Sequence, residues 1–113
     1  MKMIVAFIKP HLSVEVVLAL QNVEGLSGLS LSEVHGFGRG RAHSAPDMVI
    51  FHGLELVLRT RLEIACTDEV VEVLSDIIQQ VAHTGLRGDG KIYVSELQQA
   101  RRISSGEIGR TAV

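Results

Sequence analysis

The sequence predicts an α+β fold, a ferredoxin-like βαββαβ sandwich with a four-stranded antiparallel sheet, both helices on one face, and a long loop between the second and third strands. Three observations carry this reading. Four separated stretches have the short apolar or alternating pattern of strands, two others repeat apolar residues at helical spacing, and the helical stretches follow the first and third strands.

Met3 to Ile8 is an apolar run ended by Lys9-Pro10, where proline cannot donate to a ladder and restricts the residue before it. Leu12, Val16, Ala19, Leu20 and Val23 then share one helical face, predicting a helix from about Ser13 to Asn22 with Ser13 as N-cap and Glu15 in its first turn. Gly25 and Gly28 break it. Leu29, Leu31 and Val34, set against Ser30, Ser32 and Glu33, predict a half-buried second strand. From Gly36 to about Leu54 the periodicity fails, so this stretch reads as a loop, and loops of that length in small domains are usually functional or disordered. Leu56 to Cys66 alternates again and forms the third strand. Thr67 reads as the cap of a second helix, with Asp68 and Glu69 in its first turn and Val70, Leu74, Ile77, Ile78 and Val81 as its buried stripe until His83-Thr84-Gly85. Lys91 to Ser95 is the fourth strand, and the tail from Glu96 opens with a helical turn and ends polar. The Val, Leu and Ile content of the strands leaves an apolar second sheet face, which predicts sheet-to-sheet oligomerisation.

At 113 residues and 46% hydrophobic, the chain supports one core and a single domain over 1–113. A formal charge of −2 gives no global attraction to nucleic acid or an anionic membrane, and aromatic residues at 4% offer few stacking platforms. The lone Cys66 excludes an intramolecular disulfide framework and reads as a small core residue. With no long apolar span and no leader at the N-terminus, a reducing cytoplasm is expected, without membrane insertion.

The richest stretch chemically is Thr84 to Val94, where Gly85, Gly88 and Gly90 permit positive φ and close backbone approach, and Arg87 and Lys91 add charge. It lacks the spacing of a Walker A loop and precedes a strand. Gly-Asp-Gly-Lys fits a phosphate cradle or an ordinary turn before a strand, and the residues alone leave both open. His35, His43 and His52 invite a metal reading, but their spacings of eight and nine match no zinc pattern and fit solvent-exposed loop histidines. Arg39-Gly40-Arg41 suits a solvated cluster, a phosphate grip or a docking point. No Ser, His and acid arrangement forms a known nucleophile pattern, so the chain does not read as an enzyme.

Three segments together, Lys2 to Pro10 (KMIVAFIKP), Ser32 to Arg39 (SEVHGFGR) and Thr84 to Val94 followed by Ser104-Ser105-Gly106-Glu107, resemble the PII signal-transduction proteins over nearly the whole chain. The resemblance implies a ferredoxin-like homotrimer with a nucleotide cleft between adjacent subunits. Gly36 to Glu55 then looks like the long partner-contacting T-loop, Ala82 to Gly90 like the phosphate-binding B-loop, and Arg101 to Gly109 like the C-loop of the neighbouring subunit. Gly36, Phe37, Gly38 and Arg39 match the nucleotide-lining start of the T-loop. Gly88, Asp89, Gly90 and Lys91 match the residues that hold ATP or ADP phosphates, with Arg87 beside them, and Arg102 matches a phosphate-contacting arginine. Phe7, Glu63 and Ala65 are carried over as the lining of an adenine pocket.

Departures from the family pattern carry as much. The T-loop tyrosine that enteric members uridylylate falls on His52, and a serine phosphorylated in some relatives falls on Val49 or Ile50. Gly40 stands in place of the glutamine that binds Mg and 2-oxoglutarate, and Ser104 in place of a second phosphate-contacting arginine. The resemblance thus implies a divergent member in which ADP or AMP binds as well as ATP or better, with 2-oxoglutarate sensing and Mg preference in question. Arg59 keeps the charge of a family lysine, or pairs with a surface carboxylate. The expected function is a nucleotide-binding trimeric regulator of a partner protein, an enzyme or transporter, engaged through loop 40–55. The alternatives are a weak nucleotide phosphatase, or a nucleotide-independent metal-binding or scaffold trimer.

Overall fold

Residues 1–38 and 48–113 are described by the structure, a computed structural model. The expectations placed on Arg39, Gly40, Arg41 and His43, and the docking role of residues 40–47, lie outside the described residues.

The strands are β1 (Lys2–Ile8), β2 (Ser30–Gly36), β3 (Met48–Phe51), β4 (Leu54–Cys66) and β5 (Lys91–Glu96), with helices α1 (Ser13–Leu20) and α2 (Val71–Ala82). The ferredoxin-like order β2-β4-β1-β5 makes up the antiparallel sheet, and β3 adds a fifth strand by pairing with β4. β4 is the longest strand at 13 residues, and it pairs with β1, β2 and β3. Val57 is the register partner of both Gly36 and Met48, so the start and the return of the long connection meet on one residue.

The period-two pattern sorts the side chains. Ile4, Ala6 and Ile8 on β1 and Leu62, Ile64 and Cys66 on β4 are buried against Val16 and Leu20 of α1 and Val71, Leu74, Ile78 and Ala82 of α2. Met3, Val5 and Phe7 take the opposite face and are half-buried. Among the described residues no helix is long and apolar enough to cross a membrane.

Four local expectations are corrected. Ser13 is the first residue of α1 rather than its cap, and its hydroxyl donates to Thr60 Oγ1 at 2.8 Å on β4. Thr67 does not cap α2, which starts after Val70; instead Thr67 accepts the Val70 N–H through its carbonyl at 3.3 Å. The stretch read as loop from 36 to 54 contains β3, joined to β4 by a two-residue turn in which His52 (φ 49°) and Gly53 (φ 79°) both adopt positive φ, as a type I′ hairpin requires. The helical turn expected at Glu96 is absent, since β5 runs through Glu96; the tail instead closes on itself through the Arg101–Ile108 bridge, with a 3₁₀ turn at Arg110–Ala112.

Because Ser13 ties α1 to the sheet, Ser13→Ala should cost about 1–2 kcal/mol in chemical denaturation by leaving the buried Thr60 hydroxyl short of a partner. Ser13→Asp, which a capping position tolerates, should destabilise at least as much by forcing a carboxylate against Thr60.

Candidate functional site

At the end of the sheet where β2 leaves β4, an open groove of about 720 Å³ is lined by Phe7, Val34 to Gly38, Val57, Arg59, Gly88 to Lys91 and Tyr93. Its floor is apolar. Phe7 and Tyr93 meet edge to face with ring centres 6.3 Å apart, and the Arg61 guanidinium lies 5.8 Å over the Phe7 ring. Its rim is polar and cationic, from Arg59, Lys91 and the backbone of the two glycine-bearing segments.

The loop from Thr84 to Gly90 owes its shape to backbone geometry that side-chained residues resist. Gly85, Gly88 and Gly90 have φ of 79°, 82° and 105°. At Gly90 the need is also steric, because a Cβ there would sit 1.7 Å from the Phe7 carbonyl oxygen. Gly90 thus seats the loop on the end of β1 and sets Lys91 opposite Phe7 in the β1–β5 ladder.

Asp89 fixes the interior of the loop. Its Oδ2 accepts the Thr84 N–H at 2.8 Å, its Oδ1 is hydrogen-bonded to the Thr84 hydroxyl, and Lys9 Nζ stands 3.2 Å from Oδ1. Partial burial pushes the Asp89 carboxyl up, but the Thr84 hydroxyl and N–H and the Lys9 ammonium together outweigh it and hold the pKa down to about 2. His83 Nδ1 lies 3.5 Å from Oδ2 on the solvent side. On the other wall, Arg59 donates to the carbonyls of Leu58 at 2.8 Å and Gly88 at 3.1 Å, joining β4 to the loop.

Of the residues singled out from sequence, Gly36, Phe37, Gly38, Gly88, Asp89, Gly90 and Lys91 come together around this groove. Arg39 lies outside the described residues. Arg87 is exposed on the loop without lining the groove. Glu63 lies farther along β4, where it accepts from Arg61 Nε at 2.6 Å and faces Val5 in the register, and Ala65 is two residues beyond. Arg102 belongs to the tail, donating to the Thr111 carbonyl at 3.0 Å, next to an Ile103 that is fully exposed. Val34, Val57 and Lys9 were not singled out, and Thr84 and Tyr93 were named only as parts of the Thr84 to Val94 stretch, without roles of their own. Alternation along the strands could have flagged Val57 and Tyr93; for Lys9 and Thr84, residues 75 apart, nothing local could.

The other candidates resolve simply. His35 stacks on Phe51 at 5.1 Å, which in turn meets His52 edge-on at 4.4 Å, and among the described residues no group of three or more His, Cys, Asp or Glu is arranged to hold a metal ion. Cys66 is buried in the core, where desolvation raises its thiol pKa.

Chemically, an apolar floor beside backbone amides and two cations suits a ligand with a flat apolar part and an anionic part. The comparisons with known proteins bear on the same residues. Positions 1–107 match the family model described as nitrogen regulatory protein P-II. Nitrogen regulatory protein P-II of Bradyrhizobium diazoefficiens is 41% identical over 117 aligned positions, spanning all of both chains. That of Azospirillum brasilense is 39% identical, and nitrogen regulatory protein GlnK of Escherichia coli 34%, again over all of both chains.

The depressed Asp89 pKa predicts an acid limb in stability. A carboxyl whose folded pKa lies below its unfolded value stabilises the fold above the unfolded pKa, and that contribution is lost as pH falls from about 4 toward about 2. Asp68, hydrogen-bonded to the N-terminal ammonium, and Glu69, held by backbone and Thr67 hydrogen bonds and by Arg110, act in the same direction. Urea denaturation across pH 5 to 2 should therefore show a shallower acid loss in Asp89→Asn than in the unsubstituted chain; parallel profiles would contradict it.

Proposed function

The chain belongs to the nitrogen regulatory protein P-II family, and from that membership we propose that it is a trimeric, nucleotide-responsive signalling protein of the cytoplasm. It binds ATP, ADP or AMP and passes the bound state to a partner enzyme or transporter through loop 40–55.

The observation that carries this reading is the convergence of two glycine-bearing segments, Gly36–Gly38 and Gly88–Gly90, with Arg59 and Lys91 around one groove. At Gly36 and Gly38 an added Cβ would meet no described atom within 4 Å, so open space faces the backbone there. In this proposal the amides of 88–90 take the phosphates with Lys91 as a point charge, and Arg39 and Arg87 add to the field. Arg102 reaches the cleft from a neighbouring subunit. The adenine lies on the open sheet face from Phe7 toward Glu63 and Ala65, which alternate onto that face of β4. The same face, half-buried at Met3 and Val5 and exposed at Tyr93, is the surface over which three copies associate. The regulator itself has no catalytic role, and its response is a population shift of the partner-contacting loop with ligand state.

Isothermal titration with ATP, ADP and AMP, each with and without Mg and 2-oxoglutarate, tests the proposal. At least one nucleotide should bind saturably, and Lys91→Ala should weaken it by about tenfold or more. No binding by the unsubstituted protein, or equal binding by the variant, would overturn the assignment of this groove. Sedimentation equilibrium should give three times the monomer mass, and a monomer would remove the shared cleft.

A further inference from the structure

The loop that forms one wall of the groove is seated on β1 at Gly90. Phe7, Asp89, Gly90 and Lys91 line both the groove and a second cavity of about 280 Å³, which lies against Ile78 and Ala82 of α2. The loop is therefore a partition with open space on both sides. Among the described residues, the backbone-to-backbone hydrogen bonds of turns and loops leave 83–90 untouched. Between the seat of Gly90 on β1 and the end of α2, the hydrogen bonds that order it come from side chains.

Arg59 holds the Gly88 carbonyl at 3.1 Å, and the other side chains converge on one buried cation. Pro10 ends β1 and restricts Lys9, which holds an extended backbone with φ −65° and ψ 133°. Lys9 is only 8% exposed, and its ammonium lies 3.2 Å from both Thr84 Oγ1 and Asp89 Oδ1. Thr84 and Asp89, the first residue of the loop and one near its end, are hydrogen-bonded through both hydroxyl and backbone N–H, and Thr84 Oγ1 also accepts the Leu86 N–H at 3.1 Å. The Lys9 ammonium is buried and the Asp89 carboxylate half-buried, so removing the carboxylate would strand an uncompensated charge on the lysine. The depressed Asp89 pKa agrees with an ionised carboxylate in this cluster.

We propose that Lys9 is a positioning residue for the groove: its buried ammonium clamps Asp89 against Thr84 and so holds the 84–90 loop in the conformation that presents its amides to an anionic ligand. Lys9 does not touch that ligand, and the Asp89 side chain faces the clamp rather than the anion, leaving Lys91 as the loop's contacting charge. The ligand half of this inference rests on the nucleotide reading above; the clamp itself does not.

The test uses the full chain with Lys9→Met, Asp89→Asn and the double substitution, read by native-state hydrogen exchange and by ATP titration. In Lys9→Met the 84–90 amides should lose protection by about tenfold or more relative to those of β1 and α2, and ATP affinity should fall by about tenfold with Lys91 intact. A lysine that only stabilised the fold would lower protection everywhere in step, and that outcome overturns the proposal. So does a Lys9→Met loop protected to within about twofold of the unsubstituted chain. Should Lys9→Met fail to fold, the double substitution removes both charges together and should fold; selective loosening of 84–90 there supports the clamp, and an unaltered loop overturns it. If the unsubstituted protein binds no nucleotide, the proposed function and the ligand half fall together, while the exchange pattern decides the clamp.

Discussion

The close approach of Gly90 to the Phe7 carbonyl is the constraint on which the site depends. It works because β1 is held on both sides, by β4 through Lys2 to Ile8 and by β5 through Lys2 to Phe7. The same strand buries Ile4, Ala6 and Ile8 under the helices and ends in Lys9-Pro10. One strand therefore supplies core, register and the surface against which the loop is pressed. A Cβ at Gly90 would have to displace backbone at the end of β1, a strand paired on both sides, where no flexible side chain can yield.

Much of this was legible in the sequence because local pattern and tertiary outcome agree there. The alternation of β4 survives in the fold. The stripe of α2 keeps Leu74 and Ile78, while Val71 and Ala82 complete its buried face and Val70, Ile77 and Val81 are only partly buried. The Gly-Asp-Gly-Lys stretch does reach a groove together with Gly36–Gly38. What escaped notice depended on partners far along the chain or on unusual turn residues. Ser13 has the look of a cap, but its partner Thr60 is 47 residues away. β3 is short, and its turn uses His52 at a positive φ where Asn or Asp would have announced a hairpin. Lys9 read as punctuation before a proline, and only the folded chain puts it beside Asp89.

The glycines show how one residue type can satisfy two demands. A phosphate cradle and a crowded backbone both call for glycine, so sequence alone could not separate them. Geometry does. Gly90 is required by its own fold, whereas Gly36 and Gly38 have neither a positive φ nor a described neighbour that a Cβ would strike. Nothing in the described part of this chain requires glycine at those two positions, which in the proposed function face the ligand.

Charge is arranged on the same local scale. The chain carries a formal −2, yet the groove presents Arg59 and Lys91 against one carboxylate that Lys9 already compensates. A field of two or three charges is screened within about 8 Å at physiological ionic strength, so it steers weakly from a distance and acts mainly on an anion already in the groove. Backbone amides act at contact distance, inside that screening length, and the loop fixes the direction of their dipoles. In such a site the order of the loop matters more than the number of cations, since each amide contributes only while it points at the ligand. For the anionic ligand proposed above, that places the energetic weight on Gly90, pressed against β1, and on the pair of buried Lys9 and half-buried Asp89, rather than on the net charge of the chain.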